Sequence, residues 1–314
     1  MDKESKIYVA GHKGLVGSSI VRALKGKGYK NIIGKTHREL DLTNQTLTGE
    51  FFRQEKPEYV FLAAAKVGGI AANSQQPADF IMENELIQCN IIRSSYENRV
   101  KKLMFLGSSC IYPRTCPQPM KEEYVLTGPL EETNEAYALA KISGIKMCQY
   151  YNFQYATKYI SVIPSNLYGP YDNFNQETSH VIPGLIQKMH EAKNTNASSM
   201  KIWGTGSPVR DFMFVDDMAD ACVFLMETYD SSEYINIGTG QGTCIRELAE
   251  IIKKVTGYTG ELVYDTNKPD GAPIRVLDVS RFEKTGWKYK VYLEDGLKLT
   301  YEFYRKEYAS EVNE

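Results

Sequence analysis

The segment that most constrains this chain is its first strand, turn and helix. Residues 6–10 (KIYVA) are a short apolar run that reads as a buried strand, GHKGLVG follows at 11–17, and residues 18–25 continue with helical spacing. In such a unit Gly11 permits a tight turn, Gly14 lets the backbone approach a diphosphate, and Gly17 lets the helix pack on the strand. The free N–H groups and dipole of the helix start favour an anion there. The spacing is G-x-x-G-x-x-G rather than the commoner G-x-G-x-x-G, and a plain strand-to-helix turn is the structural alternative.

The alternation continues. A strand at 31–34, a helix at 43–56 ending before Pro57, a strand at 59–62 and a long helix at 79–99 come next. The helix at 79–99 carries an apolar stripe of Phe80, Met82, Leu86, Ile87, Ile91 and Ile92. A strand begins at Lys102, a helix runs from about 137 to 151, and a strand spans 159–164. Strands alternating with helices call for an α/β fold with a Rossmann-type, doubly wound parallel sheet. After residue 171 the texture changes to a polar stretch at 172–179, short strands near 201–203 and 211–215, helices at 180–192, 216–227, 244–256 and 293–306, and a Pro/Gly loop at 268–275. We expect residues 1–171 to form the nucleotide-binding domain. Residues 172–314 should form mainly a smaller α/β substrate domain that returns one or two strands to the main sheet.

In an open α/β sheet the carboxyl ends of the strands face the ligand crevice. The strand from Lys102 ends in Gly107, Ser108, Ser109 and Cys110, two hydroxyls and a thiol at that edge. A turn after a core strand would use similar residues. Tyr137 and Lys141 are spaced i, i+4, so both lie on one helix face. An ammonium beside a phenol stabilises the phenolate, and with a serine hydroxyl the three form a relay that hands a proton to a ketone oxygen as hydride arrives. The spacing alone also suits two exposed helix residues. Small residues at 63–65 permit close approach of a cofactor.

The second strand leads into KTHRELDL at 35–42. An acidic residue at this strand end would bond a ribose 2′-hydroxyl. Here the place is basic, with Lys35, His37 and Arg38. A guanidinium can fork onto a 2′-phosphate, so the residues predict NADP(H) over NAD, with Lys13 adding charge. Glu39 leaves a solvated basic turn as the other reading.

With 314 residues, 42% of them hydrophobic, the chain can bury a substantial core. A formal net charge of −2 without long single-sign runs argues against a nucleic-acid or membrane-surface binder. The six cysteines form no C-x-x-C pair and no zinc spacing, so no metal site is expected and the thiols read as reduced. No leader or membrane span stands out, and a cytoplasmic enzyme is expected.

GHKGLVG, GSSCIYP, YALAK, PSNLYGP and SHVIP together resemble the extended short-chain dehydrogenase/reductase superfamily, over almost the whole chain. Within it the resemblance is to enzymes that convert a GDP-linked 4-keto-6-deoxy sugar by C3/C5 epimerisation and then C4 reduction with NADPH. It implies that Ser108 and Tyr137 bind the C4 oxygen, that Tyr137 donates the proton, and that Lys141 holds the nicotinamide ribose. Cys110 and His180 are implied as the acid/base pair. Gly11, His12, Lys13, Gly14, Leu15, Val16 and Gly17, with His37, Arg38, Asp41 and Leu42, would hold the cofactor's phosphates and adenosine. Ala63, Leu106, Gly107, Pro164, Ser165, Asn166, Leu167 and His180 would line it. Ser108, Ser109, Cys110, Lys188, Trp203, Arg210 and Asp270 would contact the nucleotide sugar. From the residues themselves, Arg210 and Lys188 supply charge for a diphosphate and Trp203 a flat face for a base or ribose. Where an arginine is expected for the 2′-phosphate, His37 stands beside Arg38. The resemblance also implies a homodimer through helices 79–99 and 134–151. The rival readings are another nucleotide-sugar 4-epimerase or 4-reductase of this scaffold and a non-catalytic NADP-sensing protein.

Overall fold

The computed structural model describes residues 1–175, 178–268 and 270–308; of Ile70 it describes the backbone alone. Two members of the polar stretch (176 and 177), Pro269 of the 268–275 loop and residues 309–314 lie outside it.

In chain order the elements are β1 (Ile7–Ala10), α1 (Leu15–Gly26), β2 (Ile32–Ile33), α2 (Gln45–Glu55), β3 (Tyr59–Leu62), α3 (Ile70–Gln75), α4 (Pro77–Glu97), β4 (Lys102–Leu106), α5 (Glu135–Tyr155), β5 (Tyr159–Pro164) and β6 (Asn166–Tyr168). They continue with α6 (Val181–Asn194), β7 (Ser199–Trp203), β8 (Val209–Phe214), α7 (Val215–Thr228), β9 (Ile235–Ile237), β10 (Gly242–Cys244), α8 (Ile245–Thr256), β11 (Glu261–Asp265), β12 (Ile274–Arg275), α9 (Ser280–Glu283) and α10 (Leu293–Glu307).

The main sheet has the order β2-β1-β3-β4-β5-β9, all parallel. The strand order reverses between β1 and β3, which opens a crevice at their carboxyl ends. The β1 residues are fully buried and those of β4 nearly so, as a sheet covered on both faces requires. One face carries Tyr8, Phe52, Leu62, Phe105 and Ile145 against α2, α4 and α5. The other carries Ile7, Val9, Phe61, Met104 and Val162 against α1 and α7. Among the described residues beyond 172, β9 alone joins this sheet, with Val162 opposite Ile235.

A second sheet runs β10-β8-β12, with β6 also paired to β8. A third pairs β11 with β7. They share a core of Phe174, Ile186, Met189, Phe212, Leu248 and Tyr301 with α6, α8 and α10. The 268–275 loop therefore ends in a strand, because Ile274 and Arg275 find partners on β8.

The stripe expected on the helix at 79–99 is divided. Phe80, Ile91 and Ile92 are buried, whereas Met82 and Leu86 face solvent. Buried Asn84, Gln88 and Asn90 take core positions instead. Asn84 and Asn90 donate to the Lys66 and Leu42 carbonyls, and Gln88 to the Ala140 carbonyl. These bonds satisfy polar groups that would otherwise exclude them from the interior.

Candidate functional site

The N-terminal turn is closed by backbone contacts that need glycine. Gly11 has φ +82°, and a Cβ on it would lie 2.8 Å from the Ala64 nitrogen. A Cβ on Gly17 would lie 2.1 Å from the Gly11 carbonyl oxygen. The start of α1 has no side-chain cap and no acidic residue in its first turn. Its free N–H groups and positive dipole end thus meet the loop unopposed. Ala63, whose N–H donates to the Ala10 carbonyl, brings the end of β3 beside it. This cradle fits a dinucleotide diphosphate.

The segment 35–42, expected to meet the cofactor's adenosine, forms a turn. Glu39 accepts from the Thr36 N–H at 2.7 Å and hydroxyl at 2.6 Å, which holds its carboxyl below the usual range. Asp41 is held down likewise by the Thr43 hydroxyl and N–H. His37 stands 3.8 Å from Asp41, while Arg38 and Lys13 are exposed. The Leu42 carbonyl anchors the segment by accepting from Asn90 at 2.9 Å. The His12 ring packs so closely against Gly34 that a Cβ there would lie 2.4 Å from it.

Ser108, Tyr137 and Lys141, the residues expected to form a proton relay, gather at the carboxyl end of β4. Gly107 is buried there, and a Cβ would strike Ile163 at 2.5 Å. Ser108 follows in extended backbone and accepts at 3.3 Å from the Cys110 N–H, starting a 3-10 turn at Ser109–Ile111. Burial pushes the Tyr137 phenol up, the nearby Cys110 adds to this, and a hydrogen bond with Ser108 opposes it. Phe80 packs edge-on against the Tyr137 ring at 6.4 Å. Lys141 is 4% exposed, and burial pulls its ammonium down to about 8. Its Nζ donates to the Leu106 carbonyl at 2.9 Å and lies 5.7 Å from the centre of the Tyr137 ring.

Cys110 is half-buried beside this triad, and Asn134 donates to its Sγ at 3.3 Å. The other amide atom of Asn134, Oδ1, is buried without a partner among the described residues. Sequence reasoning missed Asn134: it stands 24 residues from Cys110 across a polar loop, and only its position just ahead of α5 marks it. His180 is the residue before α6, and its side chain makes no capping bond. His180 is exposed, and partial desolvation by the surrounding protein lowers its imidazole below the ordinary value.

A second cluster forms on the C-terminal sheets. The Nζ atoms of Lys188 and Lys268 lie 5.3 and 5.4 Å from the Trp203 ring centre, and Trp203 is 68% exposed. Asp270 accepts from the Thr205 N–H at 3.0 Å and hydroxyl at 2.7 Å, which closes the loop after β7. Arg210 donates to the Val209 and Ala272 carbonyls at 2.8 and 2.7 Å. Burial and Arg275 pull its guanidinium down to about 10, and Cys110 opposes this. Arg210 therefore stands between the two clusters. Ser165 and Asn166 follow β5: the Ser165 N–H donates to the Ile237 carbonyl at 2.8 Å, and the Asn166 side-chain amide donates to the Asp211 carbonyl at 3.0 Å.

Among the described residues no group of His, Cys, Asp and Glu could hold a metal, no helix is long and apolar enough to cross a membrane, and all six cysteines are free.

Residues 7–238 match the NAD dependent epimerase/dehydratase family. The chain is 57% identical to a GDP-L-fucose synthase of Arabidopsis thaliana, over 97% of this chain and 94% of that protein. It is 48% identical to the GDP-L-fucose synthase of Escherichia coli K12, over 96% and 97%. The crystal structure of a GDP-L-fucose synthetase from Naegleria fowleri bound to NADP superposes with a TM-score of 0.91 at 28% identity, covering 99% of this chain and 97% of that one. On the extent of both matches, the chain belongs to the NAD dependent epimerase/dehydratase family, within the extended short-chain dehydrogenase/reductase superfamily.

Proposed function

We propose that the chain catalyses the reaction of the GDP-L-fucose synthases, turning GDP-4-dehydro-6-deoxy-D-mannose into GDP-L-fucose by C3/C5 epimerisation and C4 reduction. The observation that carries this reading is that a thiol and a phenol share one strand end, Cys110 and Tyr137 both standing where β4 stops. A simple ketoreductase needs only the second.

A 4-ketone acidifies the protons on C3 and C5, so inversion needs a base on one face and an acid on the other. Cys110 and His180 take these roles, a thiol and an imidazole that exchange protons near neutral pH. Asn134 orients the sulfur. Ser108 and Tyr137 hold the C4 oxygen, and Tyr137 gives it a proton. Lys141 supplies positive charge 5.7 Å from the centre of the Tyr137 ring and would bond the cofactor ribose. Bound NADPH supplies the hydride. The glycine cradle would hold its diphosphate, and Arg38, His37 and Lys13 would take its 2′-phosphate. Lys188, Lys268 and Arg210 attract the sugar's diphosphate, and Trp203 packs on the nucleoside. We assign the cofactor chemistry to residues 1–171 and most nucleotide-sugar contacts to 172–314. Exposed Met82, Leu86, Leu139, Tyr150 and Phe153 on α4 and α5 support a homodimer formed by these helices.

The test is NADPH oxidation with GDP-4-dehydro-6-deoxy-D-mannose, followed in D2O. Tyr137→Phe should lower reduction by about 10²–10⁴-fold, the usual worth of a positioned proton donor, and spare deuterium exchange at C3 and C5. Unchanged reduction would remove Tyr137 from its role. Oxidation without any exchange in the native protein would leave a ketoreductase only.

A further inference from the structure

We propose that Arg275 is a positioning residue for the epimerisation step, holding the turn that carries Cys110 from the far side of the cleft. Its Nη2 donates to the Ser109 carbonyl at 2.8 Å and to the Tyr112 carbonyl at 3.4 Å. Those two carbonyls bracket Cys110 and Ile111, so one nitrogen ties both ends of the turn. The Ser109 carbonyl also accepts from the Tyr112 N–H, which closes the turn on itself. No other side chain of the C-terminal sheets donates to a carbonyl of residues 108–112 among the described residues.

Arg275 is also the register partner of Arg210 on β8. Residues paired in this way project from the same face of a sheet. Two guanidiniums thus stand side by side, and neither is in an ion pair among the described residues. Each is held through carbonyls instead: Arg210 by Val209 and Ala272, Arg275 by Ser109 and Tyr112. Like charges in contact repel, and an anion beside them removes the repulsion. The diphosphate assigned above to Arg210 is such an anion. Its arrival favours keeping Arg275 in place, and Arg275 in place fixes the backbone on either side of the thiol. The nucleotide end of the substrate is thereby connected to the residue that works on its sugar ring. The charged and titratable groups around Cys110 are Tyr137 from α5, Arg210 from β8 and, through the carbonyls, Arg275 from β12.

The inference rests on Cys110 being the proton-transfer thiol, so Cys110→Ser accompanies the test. Arg275→Gln and Arg275→Lys are compared with the native protein in two measurements: solvent deuterium entering GDP-4-dehydro-6-deoxy-D-mannose with NADP+ present, and NADPH affinity. Arg275→Gln should exchange about tenfold to a hundredfold more slowly, the range expected when a reacting group is misplaced by about an ångström. Its NADPH affinity should match the native protein. Arg275→Lys, which keeps a cationic donor, should recover most of the exchange. Loss of exchange and NADPH affinity by the same factor, with no rescue by lysine, would make Arg275 a general structural residue and overturn the proposal. Native exchange in Arg275→Gln while Cys110→Ser is inactive would overturn it alone. Native exchange in Cys110→Ser would overturn the assignment of the thiol, and this proposal with it.

Discussion

Strand β4 begins and ends at a buried lysine, and the two could hardly be used more differently. Lys102, its first residue, is 4% exposed, and so is Lys141, whose amine reaches the strand's last carbonyl. Lys102 donates to the Leu225 and Tyr229 carbonyls and, at 2.8 Å, to Asp230. Burial lowers its pKa, but the carboxylate pushes back. Among the described residues Lys141 donates to the Leu106 carbonyl alone and lies near the Phe105 and Tyr137 rings, and no carboxylate offsets its desolvation. Equal burial thus produces a fastener at one end and, at the other, an amine with a lowered pKa and no ion pair among the described residues. The carbonyls and carboxylate around the amine make the difference.

That contrast can be broken most directly at Lys141. Lys141→Met should lower reduction by about 10²–10⁴-fold, because the phenol loses its supporting charge, and yet raise stability at neutral pH. The sign follows from linkage. The folded amine titrates near 8 and the unfolded one near its ordinary value of 10.5. Between these, the unfolded chain binds more protons, so native stability climbs as pH rises from 8 and is lowest below it. Removing the charge recovers up to about 3 kcal/mol, less the cost of the deserted Leu106 carbonyl. Thermal melts of the variant at neutral pH and at pH about 10 read this directly, and a variant less stable than native at neutral pH would refute it. The native reduction rate should also fall as pH passes 8.

At Lys102 the sign reverses. Lys102→Met strips a donor from three acceptors, so it should destabilise by about 1–3 kcal/mol and leave the rate per folded molecule unchanged. Urea titration with parallel kinetics would show it; a slowed folded enzyme would erase the distinction between the two ends. Smallest is Asp230→Asn. Asp230 is more than half exposed, so its pair is screened by water and the loss should stay below about 1 kcal/mol. Because Asp230 also pairs with Lys158 at 3.1 Å, a larger loss that Lys158→Met does not reproduce would mean that the carboxylate, more than the two carbonyls, makes Lys102 a fastener.

Much of this site is written locally. The glycine turn, the Gly107–Cys110 strand end and the Tyr137–Lys141 pair each announce themselves within a few residues, because backbone sterics and helix spacing are short-range constraints. The remainder depends on contacts that no local pattern encodes. β9 is three residues long, and pairing with β5 alone makes it part of the main sheet. Asn134 becomes a partner of Cys110 only when a polar loop folds back. Arg275 lies 166 positions from Ser109 and sits in a stretch that reads as Pro/Gly loop. Met82 and Leu86 follow the periodicity of a core stripe but stand outside it, since asparagines and a glutamine on the same helix have found carbonyls to bond.

The way the sheets exchange strands bears on how such a protein can be taken apart. β6 leaves the main sheet directly after β5 and pairs with β8, while α7 and β9 travel back to pack with α1 and β5. Severing the chain at residue 171 would therefore free neither half. The amino-terminal piece would keep a strand belonging to its neighbour, and the carboxyl-terminal piece would take away one edge of the large sheet. A graft that moved the two C-terminal sheets to another scaffold would have to carry residues 166–168 along and leave 215–237 behind.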